Sequence, residues 1–174
     1  QPAMVEIMQE FWRRKNFPNK VTMETNGTKP FKKAKFDSGS LDSLIYEEFG
    51  TTGAKLNGRE WFWSVSPKLR STSGELVKKA IKPDVVGSYA AASDRGQLKY
   101  VVNGTPESWK EVEEHTKLFR SEGVKWDVFI MPVGATKEQQ EEQQVADIAV
   151  EAIKRGYNVS GRLHCYIFGN KIGT

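Results

Sequence analysis

The sequence predicts an α/β fold built on a parallel sheet. Three observations predict it. Strand-like and helix-like segments alternate through the second half of the chain, each with its own start and stop residues. The helices are long enough to serve as crossovers between parallel strands. Residues 60–66, Glu-Trp-Phe-Trp-Ser-Val-Ser, form a continuous aromatic and β-branched run, which reads as a strand buried on both faces, as strands of parallel sheets are.

The elements follow in order. Pro2 leads into a helical pattern in which Met4, Val5, Met8, Phe11 and Trp12 share one face. That helix runs out at residues 16–19, and the β-branched run from Lys20 is closed by Asn26-Gly27, so a strand ends near Glu24. Residues 29–58 carry Pro30 and repeated glycines and asparagines and predict a long insertion, with a weakly apolar patch from Leu41 to Phe49 that suits one short helix. Pro67 stops the aromatic strand, and Leu76, Val77, Ala80 and Ile81 predict a helix over 73–81. Gln97 to Val102 is a strand. Thr105 caps the next helix, Pro106 opens it, Trp109, Val112, Thr116 and Phe119 form its inner stripe, and Gly123 ends it. His115, among glutamates, is expected on its outer side. Trp126 to Val133 is a strand closed by Pro132 and Gly134. Thr136 and Gln139 form a capping box, and Val145, Ile148, Ala149, Ala152 and Ile153 repeat at helical spacing until Gly156. Tyr157 to Phe168 is read as the final strand, with His164 and Cys165 pointing to opposite sides and Cys165 in the core. No internal repeat is visible, and residues 1–174 read as a single domain.

Composition narrows the function classes. With 174 residues and 38% apolar side chains, the chain can bury about 70% of its unfolded surface without a disulfide or metal staple. One cysteine cannot build a disulfide framework, a zinc site or an iron–sulfur cluster. No apolar run approaches the roughly 18 uncharged residues of a membrane span, and no basic-then-apolar leader opens the chain, which predicts a cytoplasmic protein without membrane contact. The net charge of +4 is small, and the basic run from Lys29 to Lys35 is interrupted by Pro30, Phe31 and Ala34, so it is read as a solvated loop; nucleic acid is disfavoured as a partner.

Alternating strands and helices leave two architectures, an open doubly wound sheet or part of a (β/α) barrel. In both, ligands sit at the carboxyl ends of the strands. Those ends are Glu24-Thr25-Asn26-Gly27, Ser66-Pro67-Lys68, Val102-Asn103-Gly104 and Met131-Pro132-Val133-Gly134, with Arg162-Leu163-His164 inside the last strand. Lys68, directly after a buried strand, suits an anionic ligand group; His164 offers a directional contact to a heterocycle. No phosphate-loop or dinucleotide fingerprint occurs.

Taken together and in order, Gln1-Pro2 before an amphipathic helix, Met23-Glu24-Thr25-Asn26-Gly27-Thr28, Ser64-Val65-Ser66-Pro67-Lys68, Gln97 to Val102, Met131-Pro132 and Arg162-Leu163-His164 resemble the 7-carboxy-7-deazaguanine synthases, a family of radical S-adenosylmethionine (SAM) enzymes. The resemblance implies a partial (β/α) barrel of radical SAM type. It implies SAM bound through a [4Fe–4S] cluster, and conversion of 6-carboxytetrahydropterin to 7-carboxy-7-deazaguanine with loss of ammonia and assistance from Mg²⁺. By position, Ser66, Pro67 and Lys68 match the family's SAM-contacting turn, and Met131, Pro132, Val133 and Gly134 match its second SAM segment, where many members have Gln-Pro. Glu24 and Asn26 would lie on the ribose and methionine side. His164 matches a histidine that contacts the pterin, and Lys99 points to the same cavity.

The family's cysteine motif and its Gly-Gly-Glu-Pro segment have no counterpart in this sequence. The expectation is a C-terminal portion of such an enzyme, inactive alone and lacking its first strands. Its bared sheet edge invites association, a homodimer included. Two other readings stay open: a radical SAM activase that generates a glycyl radical on a partner, and a binding module without a cluster.

Overall fold

The computed structural model describes residues 7, 10, 11, 13–16, 18–30 and 60–169. Residues 31–58 of the predicted insertion, and most of the helix predicted before the first strand, lie outside the described residues. Of that helix Ile7, Glu10, Phe11 and Arg13 are helical, and Phe11 packs against the core.

Five strands form one all-parallel sheet: β1 (Lys20–Thr25), β2 (Glu60–Val65), β3 (Gly96–Val102), β4 (Asp127–Pro132) and β5 (Asn158–Val159). Their spatial order is their sequence order. A doubly wound sheet reverses its order at a switch point, so the described strands are singly wound. That is the order found along an arc of a (β/α) barrel.

Strand parity shows which face the core uses. Trp61, Trp63 and Val65 of β2, Leu98, Tyr100 and Val102 of β3, and Val128 and Ile130 of β4 are all buried and all alternate residues. The helices cover this face. They are α1 (Arg70–Ser73), α2 (Val77–Ala80), α3 (Pro83–Ala92), α4 (Pro106–Ser121), α5 (Lys137–Gln140), α6 (Gln143–Lys154) and α7 (Leu163–Phe168). α3 contributes Val85, Val86 and Tyr89, α4 Trp109, Val112 and Phe119, and α6 Ile148 and Ala152. Tyr89 stacks on Trp63 with ring centroids 4.3 Å apart and planes 5° from parallel. Offset stacks add about 0.5–1.5 kcal/mol beyond the area they bury. On the other face Phe62, Lys99, Val101, Phe129 and Met131 are only half-buried and Glu24 is exposed. On that face β2 itself is better covered than its neighbours, with Ser64 buried and Phe62 half-buried.

Local rules hold where the chain supplies caps. The Thr105 hydroxyl accepts from the Ser108 amide at 3.3 Å, Pro106 opens α4, and Gly123 takes φ 82° just beyond it. The Thr136–Gln139 capping box forms as expected.

Tertiary packing overrides the sequence reading at five places. The helix predicted over 73–81 splits into α1 and α2 because Gly74 adopts φ 71° at the end of α1. α3, which no sequence pattern announced, follows at once. The helix predicted from Thr136 to Gly156 breaks at Glu141–Glu142, and Ile153, expected on its inner stripe, is 67% exposed. The final strand predicted over 157–168 shrinks to Asn158–Val159, because β4 offers pairing only at Phe129 and Ile130, and the Ser160 amide makes the closing bond to the Ile130 carbonyl. The rest turns into α7, held by the Cys165 thiol donating to the Ala135 carbonyl at 3.3 Å and the Tyr166 hydroxyl donating to the Gln140 carbonyl at 3.1 Å. Cys165 is buried, as expected, but on a helix. Finally, His115 is buried, not on the surface. It stands three residues after Val112 and four before Phe119, so it shares their face.

Candidate functional site

The carboxyl ends of β1 and β2, with the middle of β3 beside them, enclose a cleft of about 160 Å³ lined by Glu24, Thr25, Asn26, Ser64, Ser66, Lys68 and Lys99; the predicted β3 end at Val102, Asn103 and Gly104 is not part of it. Sheet register brings them together. Glu24 pairs with Ser64, and Ser64 with Gln97, so these side chains form one row on the face that the helices leave open. Lys99, two residues beyond Gln97, rises from the same face.

The β1 end is shaped by its turn. Gly27 adopts φ 74°, and a Cβ there would lie 2.8 Å from Val86 Cγ2 and 2.9 Å from Val65 Cγ1. Only glycine satisfies both the backbone angle and the close approach. The Asn26 carboxamide oxygen accepts from the Thr28 amide at 3.3 Å and the Thr28 hydroxyl at 2.8 Å, an Asx turn that fixes its orientation. The Thr25 hydroxyl accepts from the Gly27 amide at 3.1 Å. From the core side, the Tyr89 hydroxyl donates to the Lys29 carbonyl and ties the turn to α3; burial pushes the pKa of that phenol above its ordinary value.

The β2 end follows a different logic. The Ser66 amide donates to the Thr25 carbonyl at 2.7 Å, extending the β1–β2 ladder by one bond. Pro67, which shares the parity of Trp63 and so faces β3, has no N–H to continue the pairing on that side. Pro67 and Leu69 are both buried, which holds the intervening Lys68 exposed at the cleft. On β3 the Gln97 side-chain Nε2 donates to the Ser64 hydroxyl at 2.9 Å.

Two ammonium groups, Lys68 and Lys99, face one carboxylate, Glu24. Lys99 Nζ stands 4.0 Å from Glu24 Oε1, and the Glu24 side chain is 77% exposed. Lys99 is half-buried, but with the carboxylate this exposed and 4.0 Å away the pair is worth about 0–1 kcal/mol, and both charges can engage a ligand. The balance suits an anionic or zwitterionic group flanked by hydroxyls. The cleft thus gathers two ammonium groups, one carboxylate and three hydroxyls, a set suited to hold a charged, polar ligand group.

The remaining predicted residues lie elsewhere. Met131 is half-buried on the open face beside Val101, Pro132 is buried and Val133 is exposed, but none of Met131, Pro132, Val133 and Gly134 lines the cleft. Gln140 uses its amide to bond the Val133 carbonyl at 3.3 Å and the Gly134 carbonyl at 3.1 Å, so the backbone there is already engaged. His164 is not inside a strand. It is exposed on α7, with its Nε2 3.5 Å from Cys165 Sγ. The turn from strand to helix after Val159 moved it. Gln97 and Tyr89 are the residues the sequence reading missed. Alternation along β3 sets Gln97 on the face of Lys99, which is the signal that could have found it; Tyr89 had none, because α3 was not foreseen.

A larger groove of about 500 Å³ opens between α4 and α6, lined among others by Gly104, Trp109, Asp147, Glu151 and Arg155. Its size alone would favour it, but its cation is taken. Arg155 bonds Glu113 at 2.5 Å and Glu151 at 2.6 Å, and its guanidinium lies 5.0 Å over the Trp109 ring. The strand-end cleft is the better candidate, because its charges converge on open space.

Among the described residues no group of three or more His, Cys, Asp or Glu could hold a metal ion, and no helix is long and apolar enough to cross a membrane. Comparison of the chain with family models, with curated proteins and with solved structures finds no match in any of the three.

Proposed function

We propose that this chain carries the SAM-binding surface of a radical SAM enzyme of the 7-carboxy-7-deazaguanine synthase kind, acting on 6-carboxytetrahydropterin. One observation carries the reading. Glu24, Asn26, Ser66, Lys68 and Lys99, which the resemblance assigns to SAM and substrate, meet in one cleft although they come from three separate strands and the turns that follow two of them. Lys68 and the Ser66 hydroxyl suit the carboxylate of the methionine end of SAM, and Glu24 suits its ammonium. The cleft is smaller than the roughly 300–1,000 Å³ of whole-ligand pockets. It takes the charged end, while the flat body of the ligand lies over the half-buried Val101, Phe129 and Met131.

The cofactor supplies the radical chemistry in such enzymes. The residues present do not fit a [4Fe–4S] cluster, because the sequence holds one cysteine and it is buried. Nor do the described residues offer a Mg²⁺ site. The role proposed for Glu24, Ser66, Lys68 and Lys99 is therefore to bind and orient. The same absence of cluster ligands favours a second reading, a cluster-free module for small anionic or zwitterionic ligands.

Isothermal titration of the full chain with SAM, and separately with 6-carboxytetrahydropterin under anaerobic conditions, tests both. Saturable SAM binding that weakens in Lys68→Ala supports the first reading. Pterin binding without SAM binding transfers support to the second, and no saturable binding of either overturns both.

A further inference from the structure

Of the two lysines at the cleft, Lys99 lies within β3, but Lys68 stands in the short turn between β2 and α1. Ser66, just before it, is fixed by its ladder bond to Thr25; nothing comparable follows Lys68 within its own segment. α1 is four residues long, and a helix that short has no stability of its own. Its N-cap position is Leu69, which has no side-chain acceptor, and its first turn holds no acidic residue.

The missing acceptor comes from 40 residues further along the chain. Glu111 of α4 directs Oε2 at Ser71, accepting from its amide at 3.1 Å and from its hydroxyl at 2.6 Å. Glu111 is only 9% exposed, although residues 111–114, Glu-Val-Glu-Glu, read as a solvated stretch. Burying a carboxylate is costly unless its charge is hydrogen-bonded, and the two bonds to Ser71 meet that need. Two further bonds brace the same turn. The Asn103 side-chain amide donates to the Ser71 carbonyl at 3.3 Å, and the Thr72 hydroxyl donates to the Val101 carbonyl at 3.2 Å. Asn103 is itself oriented by Thr105, whose amide and hydroxyl donate to its carboxamide oxygen at 3.2 and 2.8 Å.

We propose, resting on the reading of the cleft as the seat of a ligand's charged end, that Glu111 is a positioning residue: it anchors α1 and thereby sets where the Lys68 ammonium stands. Glu111 does not line the cleft, so it acts through Lys68 and not on the ligand. Buried Pro67 and Leu69 pin the chain on either side of Lys68, and Glu111 supplies the one charged tie beyond them among the described residues. Charge-assisted bonds are roughly twice as strong as neutral ones, which suits an anchor. A lysine whose backbone is already fixed loses less freedom when it meets an anionic group, and that preorganisation is gained as affinity. The strand end at residues 102–104, outside the cleft, serves it indirectly through Asn103.

Titration of the full chain and its variants with SAM as the probe tests this, with circular dichroism confirming that each variant is folded. Glu111→Ala should weaken SAM about fivefold to tenfold, no more than Lys68→Ala does. In the Lys68→Ala background it should cost less than about twofold, because its effect passes through Lys68, whereas a merely structural loss would add in full. Glu111→Gln keeps an acceptor oxygen in place and should bind to within about threefold of the native chain. Ser71→Ala removes the hydroxyl donor at a half-buried position and should weaken SAM about threefold, which carries the test if Glu111→Ala does not fold. Nitrogen-15 relaxation of the ligand-free chain needs no ligand: order parameters over residues 68–73 should fall from about 0.85 toward about 0.6 in Glu111→Ala and hold in Glu111→Gln. Unchanged order parameters, an equal loss in the Lys68→Ala background, or Glu111→Gln as weak as Glu111→Ala overturns the proposal. Absence of SAM binding in the native chain overturns the reading of the cleft, not the anchoring, which the relaxation decides by itself.

Discussion

Replacing Gly27 by alanine tests whether the turn at the end of β1 is built against the core. The new Cβ would sit 2.8 Å from Val86 Cγ2 and 2.9 Å from Val65 Cγ1, and both valines are fully buried. β-Branched side chains are stiff at χ1, so neither methyl can swing aside cheaply. Overpacking of this kind costs about 1–3 kcal/mol. The backbone adds about 1–2 kcal/mol, because φ 74° is a left-handed conformation that alanine resists. The sum is about 2–5 kcal/mol, a large share of the roughly 5–15 kcal/mol that stabilises a typical domain. Gly74→Ala provides the control. Its φ is 71° but nothing lies within 4 Å of its Cβ position, so it should cost only the backbone part. Urea unfolding of the two variants isolates the contact by difference, and the thermal midpoint should fall about 2–4 °C for each kcal/mol lost. Equal destabilisation of Gly27→Ala and Gly74→Ala, within about 0.5 kcal/mol, would refute the claim that the turn is packed against Val65 and Val86.

The cleft and core yield further expectations. Lys68→Ala and Lys99→Ala should each weaken binding of an anionic or zwitterionic ligand by roughly tenfold, as loss of a charge-assisted contact does, with unfolding midpoints little changed for the exposed Lys68; titration calorimetry checks it, and unchanged affinity in both would remove the cleft from consideration. Tyr89→Phe deletes the hydroxyl that holds the Lys29 carbonyl, so about 1 kcal/mol of stability should go, together with some ligand affinity, as the 25–30 turn loosens. The His115 side chain is buried, its Nδ1 has no hydrogen-bond partner among the described residues, and desolvation lowers its pKa below the ordinary 6.5 despite the opposing field of Glu111 and Glu114. The unfolded chain then binds the proton more readily than the folded one, so this residue's contribution is fully present above pH 6.5 and is lost as pH falls through 6.5 and on through the lower folded value. Thermal midpoints from pH 7.5 down to about 5 should drop more steeply for the native chain than for His115→Gln, and parallel curves would contradict the assignment.

Where local chemistry was decisive, the elements were legible in the sequence. α4 announced itself through Thr105, Pro106, an inner stripe and Gly123, because caps and period 3.6 depend only on neighbours a few residues apart. β1 to β4 were found within a residue or two for the same reason. The last segment was misread because Tyr166, Ile167 and Phe168 favour strands, whereas Cys165 and Tyr166 are held by carbonyls of the 135–140 segment that no local rule can see. α3 was missed because Gly87 and Ser88 dilute its helical signal, while Tyr89 is fixed by stacking on Trp63, far away in the chain. His115 was misjudged from its glutamate neighbours although its spacing from Val112 and Phe119 already marked the inner face.

The sequence by itself determined the alternation of strand and helix, and it supplied most of the candidate ligand residues at strand ends. Both are matters of periodicity and punctuation, which short stretches of chain carry. Only the tertiary structure decided that the strands lie in sequence order, that the helices cover one face, and that Glu24, Ser66, Lys68 and Lys99 share a cleft while His164 and Gly134 stand apart from it. Those outcomes depend on register between strands distant in sequence. A side chain's face is set by parity within its own strand, but its neighbours are set by which residue of the next strand it meets.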